Sequence, residues 1–135
     1  MPNRELTHAG CVVFRPEGSK TLFLVVSSKH DKHWVLPKGK IDTKDRTIED
    51  AALRELKEEA GVEGKIIRPI SIRAFTQKDR QIAVQYYIVE YKGETTPMED
   101  RTVRWETADV ALDLISFDET KNAFLEALDI IRSWS

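Results

Sequence analysis

The chain lacks the features that mark secreted, membrane-spanning and nucleic-acid-binding proteins. It has 135 residues and a single cysteine, Cys11, which lies in an apolar run and cannot form an internal disulfide. No apolar stretch approaches the about 20 residues that a membrane helix needs, and residues 1–6 lack the apolar segment of a signal peptide. Charged residues make up 33% of the chain, yet the formal net charge is only −2, so nothing global indicates a nucleic acid or membrane partner. These absences predict a cytoplasmic protein.

Internal repeats, low-complexity tracts and linkers rich in proline or glycine are also absent from the sequence. We therefore expect one domain over residues 1–135. The apolar patterns predict strands over residues 8–15, 21–27, 34–36, 66–76, 81–91 and 102–106. They also predict helices at 47–60 and at 118–133, the latter capped by Ser116 or Asp118, and a short helix or turn at 108–114. Strands mixed with two substantial helices indicate an α/β (α+β) sandwich.

The helix predicted at 47–60 carries three acidic residues on one side. Glu55, Glu58 and Glu59 fall within roughly a quarter of the helix circumference. Like charges three and four residues apart cost an isolated helix about 0.2–0.5 kcal/mol per pair, so helix propensity alone does not favour them. A bound divalent cation would favour them, and oxygen-only ligands of this kind suit Mg²⁺ or Mn²⁺.

The same stretch closely resembles the signature of a known family. From Arg54 to Val62 the sequence reads Arg-Glu-Leu-Lys-Glu-Glu-Ala-Gly-Val, and with Gly39 upstream it resembles the Nudix box. In that box a glycine is followed by five residues, a glutamate, seven residues and then Arg-Glu-(apolar)-x-Glu-Glu-x-Gly-(apolar). The second half matches at every specified position. The first half is one residue longer than the pattern, and the position eight before Arg54 holds Arg46 instead of glutamate.

Two interpretations of this departure stay open. An inserted loop residue would let Asp45 or Asp42 supply the missing carboxylate. Alternatively, that carboxylate is lost and metal binding is weakened. The three intact carboxylates of the helix favour a working site.

The resemblance implies an α/β/α sandwich with a mixed sheet, and a Mg²⁺-dependent hydrolase of nucleoside diphosphates linked to another group. Mn²⁺ is a possible substitute for Mg²⁺. Glu55, Glu58 and Glu59 would be the metal ligands, assisted by a backbone carbonyl at residues 38–39. Arg54 would hold Glu58 in position and is spaced to pair with Asp50 as well.

A general base usually lies outside the box in this family. Glu99, on a loop ahead of a predicted strand, is the candidate, and the alternative is that it is an ordinary exposed acid. Glu106 and Glu94 are weaker candidates for the same role.

Several residues are candidates for substrate binding. The lead-in Pro37-Lys38-Gly39 is similar to that of the diadenosine tetraphosphate hydrolase and diphosphoinositol polyphosphate phosphohydrolase branches of the family. The cationic candidates are Lys38, Lys40, His33, Lys78 and Arg80, although each alone is also a typical surface residue. The pair Tyr86-Tyr87 is similar in place to a tyrosine that stacks on adenine in the diadenosine branch. Strand alternation places Tyr86 in the core, so Tyr87 is the stacking candidate. The alternative is that both tyrosines serve ordinary sheet packing.

The leading hypothesis is hydrolysis of a dinucleoside polyphosphate by a monomer or homodimer that binds no membrane and no nucleic acid. The alternatives are a phosphohydrolase of diphosphoinositol polyphosphates or other small diphosphates, and a hydrolase of RNA 5′ ends. A hypothesis of another class is a catalytically silent Nudix module that senses a nucleotide or binds a protein.

Overall fold

The computed structural model describes residues 5–134. The predicted absence of a targeting segment at residues 1–6 falls mostly outside this range. Within the described range, no helix has both the length and the apolar character needed to cross a bilayer.

Eight strands and three helices make up the described chain. The strands are β1 His8–Glu17, β2 Lys20–Ser27, β3 Trp34–Val35, β4 Lys38–Lys40, β5 Val62–Pro69, β6 Arg73–Gln77, β7 Arg80–Glu94 and β8 Val103–Glu106. The helices are α1 Ile48–Ala60, α2 Ala108–Leu114 and α3 Asp118–Arg132, and a short 3-10 turn covers Lys29–Asp31. The first two predicted strands form an antiparallel hairpin, and residues 108–114, predicted as a short helix or turn, form a helix.

All eight strands belong to one mixed sheet with the central order β3-β2-β1-β7-β5. The two central strands, β1 and β7, run parallel, while the other pairs are antiparallel. The outer edge of β1 is shared by β4, which pairs with residues 8–10, and by β2, which pairs with residues 14–17. Similarly, β7 pairs with β6 at its start and with β5 towards its end. Each of the two central strands therefore pairs with one strand at its first residues and with another strand further along.

Helices cover the sheet on both faces, which confirms the predicted α/β/α sandwich. One buried cluster lies between the sheet and helices α2 and α3, and Ile82, Val84, Tyr86 and Ile88 of β7 belong to it. The other lies between the sheet and α1. It contains Ala9, Cys11, Val13, Leu24, Val26, Ala51, Ala52, Leu56, Tyr87 and Val89. Because both faces of the central strands are buried, their side chains are apolar in nearly every position.

The helix predicted at 47–60 forms with the expected ends. The Oγ1 of Thr47 accepts a hydrogen bond of 3.0 Å from the N–H of Asp50 and so caps the first turn. Gly61 ends the helix in the left-handed conformation at φ 66°, where glycine carries no steric penalty. Val62 then enters β5 and is buried against the helix side of the sheet. The acidic residues of α1 therefore have a fixed register.

Three local predictions were wrong. The strand predicted at 66–76 is interrupted, because the amide and hydroxyl of Ser71 both donate to Glu126 of α3 at 2.9 Å and draw the chain off the sheet edge. Neither Ser116 nor Asp118 caps α3: the N-cap residue is Phe117. The Ser116 hydroxyl instead accepts a hydrogen bond from the Trp34 amide at 3.2 Å. Finally, the irregular segment that we expect at 38–46, from the absence of an apolar pattern there, is wrong for residues 38–40, which form β4.

Candidate functional site

Three carboxylates meet where α1 faces β4. Glu55 and Glu59, one helical turn apart, are both buried, and Glu99 reaches them from the loop before β8. One oxygen of each of these side chains lies within 4.8 Å of the others. Their close approach is costly for three negative charges, and it makes the cluster a group of hard oxygen donors that could hold a divalent cation.

The backbone of β4 closes over this cluster. A Cβ atom built on Gly39 would lie 2.1 Å from Cδ of Glu55, so only glycine allows the strand to pass the carboxylate. The N–H of Lys38 donates to Oε1 of Glu59 at 3.3 Å. Burial raises the pKa of Glu59 to about 8, and the charge of nearby Arg101 opposes this rise. A cation placed beside Glu59 would favour its ionised form.

The loop that carries Glu99 is tied to the end of α1. The N–H groups of Met98 and Glu99 both donate to the carbonyl of Glu58 at 3.0 Å, and the N–H of Thr95 donates to the carbonyl of Gly61 at 2.8 Å. These bonds use carbonyls that every helix leaves unsatisfied at its C-terminal end. The same end of α1 that presents Glu59 therefore also fixes the position of Glu99.

Arg101 binds the Glu99 side chain, and sequence reasoning missed this residue. Its Nε and Nη2 lie 2.9 and 2.8 Å from Oε1 of Glu99, its Nη1 donates to the carbonyl of Ser27 at 3.3 Å, and Nη1 lies 3.8 Å from Oε1 of Glu59. No periodicity links residue 101 to the helix, so the sequence carries no signal that would have found it.

Arg54 contacts four residues of the site. Its Nε and Nη2 make a two-pronged ion pair with Asp45, both at 2.9 Å, and Nη2 also donates to the carbonyl of Lys40 at 3.0 Å. Its Nη1 donates to Glu55 at 2.9 Å and to Glu58 at 3.3 Å. The predicted pairing with Glu58 is confirmed. The pairing with Asp50 was wrong, because the guanidinium is directed to Asp45 instead.

Asp45 is the loop acid that meets Arg54. Its side chain is only 5% exposed, and the hydrogen bond from Arg54 lowers its pKa. Asp42 has a different part: its carboxylate accepts from the N–H of Lys44 at 3.1 Å, and its own N–H donates to Asp45 at 2.8 Å. Asp42 thus shapes the turn that delivers Asp45, while Arg46 is exposed.

Two cavities lined by cations adjoin the carboxylates. The first, of about 730 Å³, contains the three acids together with Lys29, Lys38, Lys40, His8 and Arg101 among its lining. The second, of about 830 Å³, shares His8 and Lys40 with it and adds Lys78 and Arg80. The predicted candidates Lys38, Lys40, Lys78 and Arg80 therefore lie around one continuous region. Burial, with help from Lys38 and Lys40, lowers the pKa of His8 to about 4, so His8 is neutral at pH 7.

A third cavity, of about 430 Å³, shares Lys38, Glu59 and Arg101 with the first. Its walls also include Phe75, Phe117, Tyr86, Arg73 and Thr120. It offers aromatic surface next to the carboxylates.

Tyr87 and His33 are not part of these cavities. Tyr87 is 6% exposed and packs beneath α1, where burial and the Glu49 carboxylate raise its pKa to about 12. Its prediction as an adenine-stacking residue is wrong, because the strand face opposite Tyr86 is covered by a helix. Tyr86, assigned to the core, is buried and also reaches the third cavity. The ring of His33 packs on Phe117 at 4.8 Å, at the outer side of that cavity.

Comparison with known proteins decides the family. A family model described as NUDIX domain matches residues 5–128. The chain belongs to the Nudix family. It is 36% identical over 81 residues to diphosphoinositol polyphosphate phosphohydrolase 2 of Mus musculus, an alignment that covers 60% of this chain and 44% of the relative. Diphosphoinositol polyphosphate phosphohydrolase 3-alpha of the same species is 38% identical over 64 residues, which are 47% of this chain and 38% of the relative. The match thus spans less than half the length of these relatives.

Solved Nudix structures share the fold. The structure titled as a C. elegans Ap4A hydrolase binary complex superposes with a TM-score of 0.78 at 20% identity, over 96% of this chain and 99% of that one. The NUDIX domain of Shewanella oneidensis NrtR, complexed with ADP ribose, superposes with a TM-score of 0.80 at 18% identity, over 96% and 90% of the two chains. At these identities the likeness shows the architecture alone.

The acids of the Nudix box do not all lie in the carboxylate cluster. Glu55 and Glu59 lie in the carboxylate cluster as expected of ligands, whereas the carboxylate of Glu58 lies on Arg54 and is outside the cluster. Glu99, predicted as a base, takes the third place. The roles of Glu55, Glu58 and Glu59 as metal ligands, and of Glu99 as the base, stay predictions.

Proposed function

We propose that this Nudix domain is a hydrolase that cleaves a phosphoanhydride bond in a dinucleoside polyphosphate such as diadenosine tetraphosphate. The observation that carries the proposal is the cluster of Glu55, Glu59 and Glu99 beside cavities lined by cations. Carboxylates that face a cationic region suit a substrate that brings several phosphates and needs a divalent cation between them and the protein.

The donor set fits Mg²⁺ or Mn²⁺. Glu55, Glu59 and Glu99 offer only carboxylate oxygens, which hard cations prefer, and they contain no sulfur or imidazole donor that would favour zinc. By the family pattern Glu58 would join them. When bound, such a cation neutralises phosphate charge and lowers the pKa of a water that attacks phosphorus.

The remaining tasks fall to the residues around the cluster. Lys38 and Lys40 would bind phosphate oxygens, and the third cavity would accept a nucleoside between Phe75 and Phe117. Glu99 is favoured over Glu94 and Glu106 as the residue that accepts a proton, because it lines the first cavity. Neither Glu94 nor Glu106 lines any of the three cavities.

A second candidate is hydrolysis of diphosphoinositol polyphosphates, the substrates named by the similar mouse proteins. Such a dense anion needs a cationic rim, and Lys29, Lys40, Lys78 and Arg80 supply one around the two adjoining cavities. Arg15 does not join this rim. Its guanidinium lies 4.2 Å from the ring centre of Tyr91, where it pairs with Glu17.

A substrate panel tests the proposal and separates the candidates. Purified protein with Mg²⁺ is incubated with diadenosine tetra-, penta- and hexaphosphate, a diphosphoinositol polyphosphate and a triphosphorylated RNA, and products are resolved by ion-exchange chromatography. We expect the diadenosine compounds to yield a mononucleotide and a shorter nucleotide. Cleavage of the inositol compound alone would favour the second candidate, and cleavage of the RNA alone would overturn both.

Calorimetry with Mn²⁺ tests the metal site without any substrate. We expect the combined variant Glu58→Gln and Glu59→Gln to lose the binding heat of the unmodified protein. Glu63→Gln is the matched control, because Glu63 is an exposed acid just beyond α1 that pairs with Lys57 at 3.6 Å. Identical heats for all three proteins would favour a catalytically silent module. A cytoplasmic location and a monomeric or homodimeric state stay predictions.

A further inference from the structure

Arg101 lies at the junction of the carboxylate cluster and two cavities. It lines both the first cavity, with its cationic rim, and the third cavity, with its aromatic walls. Its side chain is 15% exposed, so the guanidinium is largely desolvated but still reachable from the cavities. No other arginine of the described residues lines both. A substrate that extends from the acids into the aromatic cavity would pass this group.

The guanidinium is held by carboxylates that a cation would also use. Two of its nitrogens lie within 2.9 Å of Glu99, and the third lies 3.8 Å from Glu59. A positive charge at this distance lowers the electrostatic attraction of the cluster for a divalent cation. Arg101 and the cation therefore compete for the same oxygens.

The attachment of Arg101 to the protein does not depend on those acids alone. Its Nη1 donates to the carbonyl of Ser27 at 3.3 Å. The neighbouring Thr102 is paired with Ser27 twice, through its carbonyl to the Ser27 amide and through its amide to the Ser27 hydroxyl, both at 2.9 Å. The neighbouring backbone and one nitrogen of the guanidinium are thus bound to Ser27 of β2, while the donors that face Glu99 can exchange one anionic oxygen for another.

We propose that Arg101 is a phosphate-binding residue that opposes cation binding on its own and favours it together with the substrate. A divalent cation that takes the oxygens of Glu99 and Glu59 leaves guanidinium donors without their carboxylate. A phosphate oxygen of the substrate satisfies them, since arginine forms charge-assisted hydrogen bonds to phosphate and carboxylate alike. Cation and polyphosphate then bind cooperatively, with Arg101 as a link between them. This inference rests on the proposed function.

The test measures two affinities that should change in opposite directions in the same variant. Mn²⁺ binding without any anion is measured by electron paramagnetic resonance of the free ion. Binding of inorganic tripolyphosphate at saturating Mn²⁺ is measured by calorimetry. For Arg101→Met we expect Mn²⁺ alone to bind about threefold tighter or more, because a competing charge is removed. We expect tripolyphosphate to bind about tenfold weaker, because a charge-assisted hydrogen bond is lost.

Two further variants keep the result interpretable. Arg101→Lys retains the charge, so its Mn²⁺ affinity should stay within about twofold of the unmodified protein while the loss of the planar donor fork still weakens tripolyphosphate binding. Arg104→Met is the matched control, because Arg104 lies on β8, pairs with Glu106 and lines none of the three cavities. It should change neither affinity.

Arg101→Met variants that weaken both affinities, or leave Mn²⁺ binding unchanged, would overturn the inference and reduce Arg101 to a clamp for the Glu99 loop. The thermal unfolding of each variant shows whether the fold is kept, and Arg101→Lys carries the test if Arg101→Met does not fold. If the unmodified protein binds no Mn²⁺ at all, the proposed function fails and the inference falls with it. These outcomes are distinct.

Discussion

The substitution Gly39→Ala should disturb the carboxylate cluster and leave the rest of the fold in place. A Cβ atom at this position would lie 2.1 Å from Cδ and 2.2 Å from Oε1 of Glu55, whereas real contacts of this kind are not shorter than 3.0 Å. Either β4 or the Glu55 side chain has to move. Because β4 is paired with β1 at Ala9 and at both neighbouring positions, we expect the side chain to yield.

The displacement is large on the scale of metal coordination. Opening the contact from 2.1 to 3.0 Å requires the Glu55 carboxylate to shift by about 0.9 Å. This shift also disturbs the hydrogen bond of 2.9 Å that Glu55 accepts from Arg54. Metal–ligand distances tolerate changes of only about 0.2 Å. We therefore expect Mn²⁺ affinity to fall by about 10- to 100-fold, the range typical for disturbed ligand support. Turnover should fall by about 100-fold. The free energy of unfolding should drop by only about 1–2 kcal/mol, as is usual for a crowded side chain that can relocate.

Calorimetry with Mn²⁺ measures the affinity, and urea unfolding measures the stability. In a protein that already carries Glu55→Ala, the added Gly39→Ala should have no further effect on Mn²⁺ binding, because the displaced carboxylate is gone. Gly18→Ala serves as the control for Mn²⁺ affinity: a Cβ at Gly18 would have no atom within 4 Å, but the left-handed φ of 61° disfavours alanine, so this variant should lose stability without losing Mn²⁺ affinity. Retention of Mn²⁺ affinity within about twofold in Gly39→Ala would refute the reasoning, because a disturbed metal ligand typically costs about 10-fold or more in affinity.

Three other predictions address the surroundings of the cluster. Asp45→Asn should lower the free energy of unfolding at pH 7 by about 2 kcal/mol. Because Arg54 lowers the pKa of Asp45, this stabilisation is complete above the ordinary aspartate pKa and is lost as the pH falls through the folded-state pKa. The urea midpoints of the two proteins should therefore converge in acid. The pKa of His8 should be about 4 by NMR titration and should rise in Lys40→Met, since Lys40 adds to the effects of burial and Lys38; an unperturbed value would contradict the cavity description. Phe117→Ala should weaken binding of a diadenosine polyphosphate several-fold, whereas Tyr87→Phe should not, because of these two residues only Phe117 lines the third cavity. Equal losses would contradict this placement.

Local sequence signals predicted the part of the site that one helix supplies. Helical periodicity sets the spacing of Glu55 and Glu59, and capping sets the helix ends at Thr47 and Gly61. The relative positions of these residues along the helix therefore do not depend on tertiary contacts. Resemblance to the Nudix box added the mixed sheet and the expectation that the backbone at residues 38–39 lies beside the acids. Glu99 was predicted as a general base on a loop and not as a member of the cluster, and its contact with the cluster depends on two amides that bind the Glu58 carbonyl.

What escaped prediction depends on contacts between segments distant in the chain. Arg101 meets Glu99 because the loop is held between α1 and Ser27, a pairing that no sequence period encodes. Tyr87 was misassigned because alternation shows only which residues share a face. It does not show that a helix covers the second face, and here α1 does.

The irregular first half of the box illustrates the difference between a helix and a loop as carriers of a site. On a helix, one inserted residue would rotate every following side chain by about 100°, so the acids of α1 require a fixed spacing. A loop needs only to bring a carboxylate to Arg54. The turn closed by the Asp45 amide on the Asp42 carbonyl, at 3.0 Å, absorbs the extra residue and turns Arg46 to solvent. The two-pronged contact of Asp45 with Arg54 is then complete despite the altered spacing, and the mismatch with the pattern is no evidence against the site.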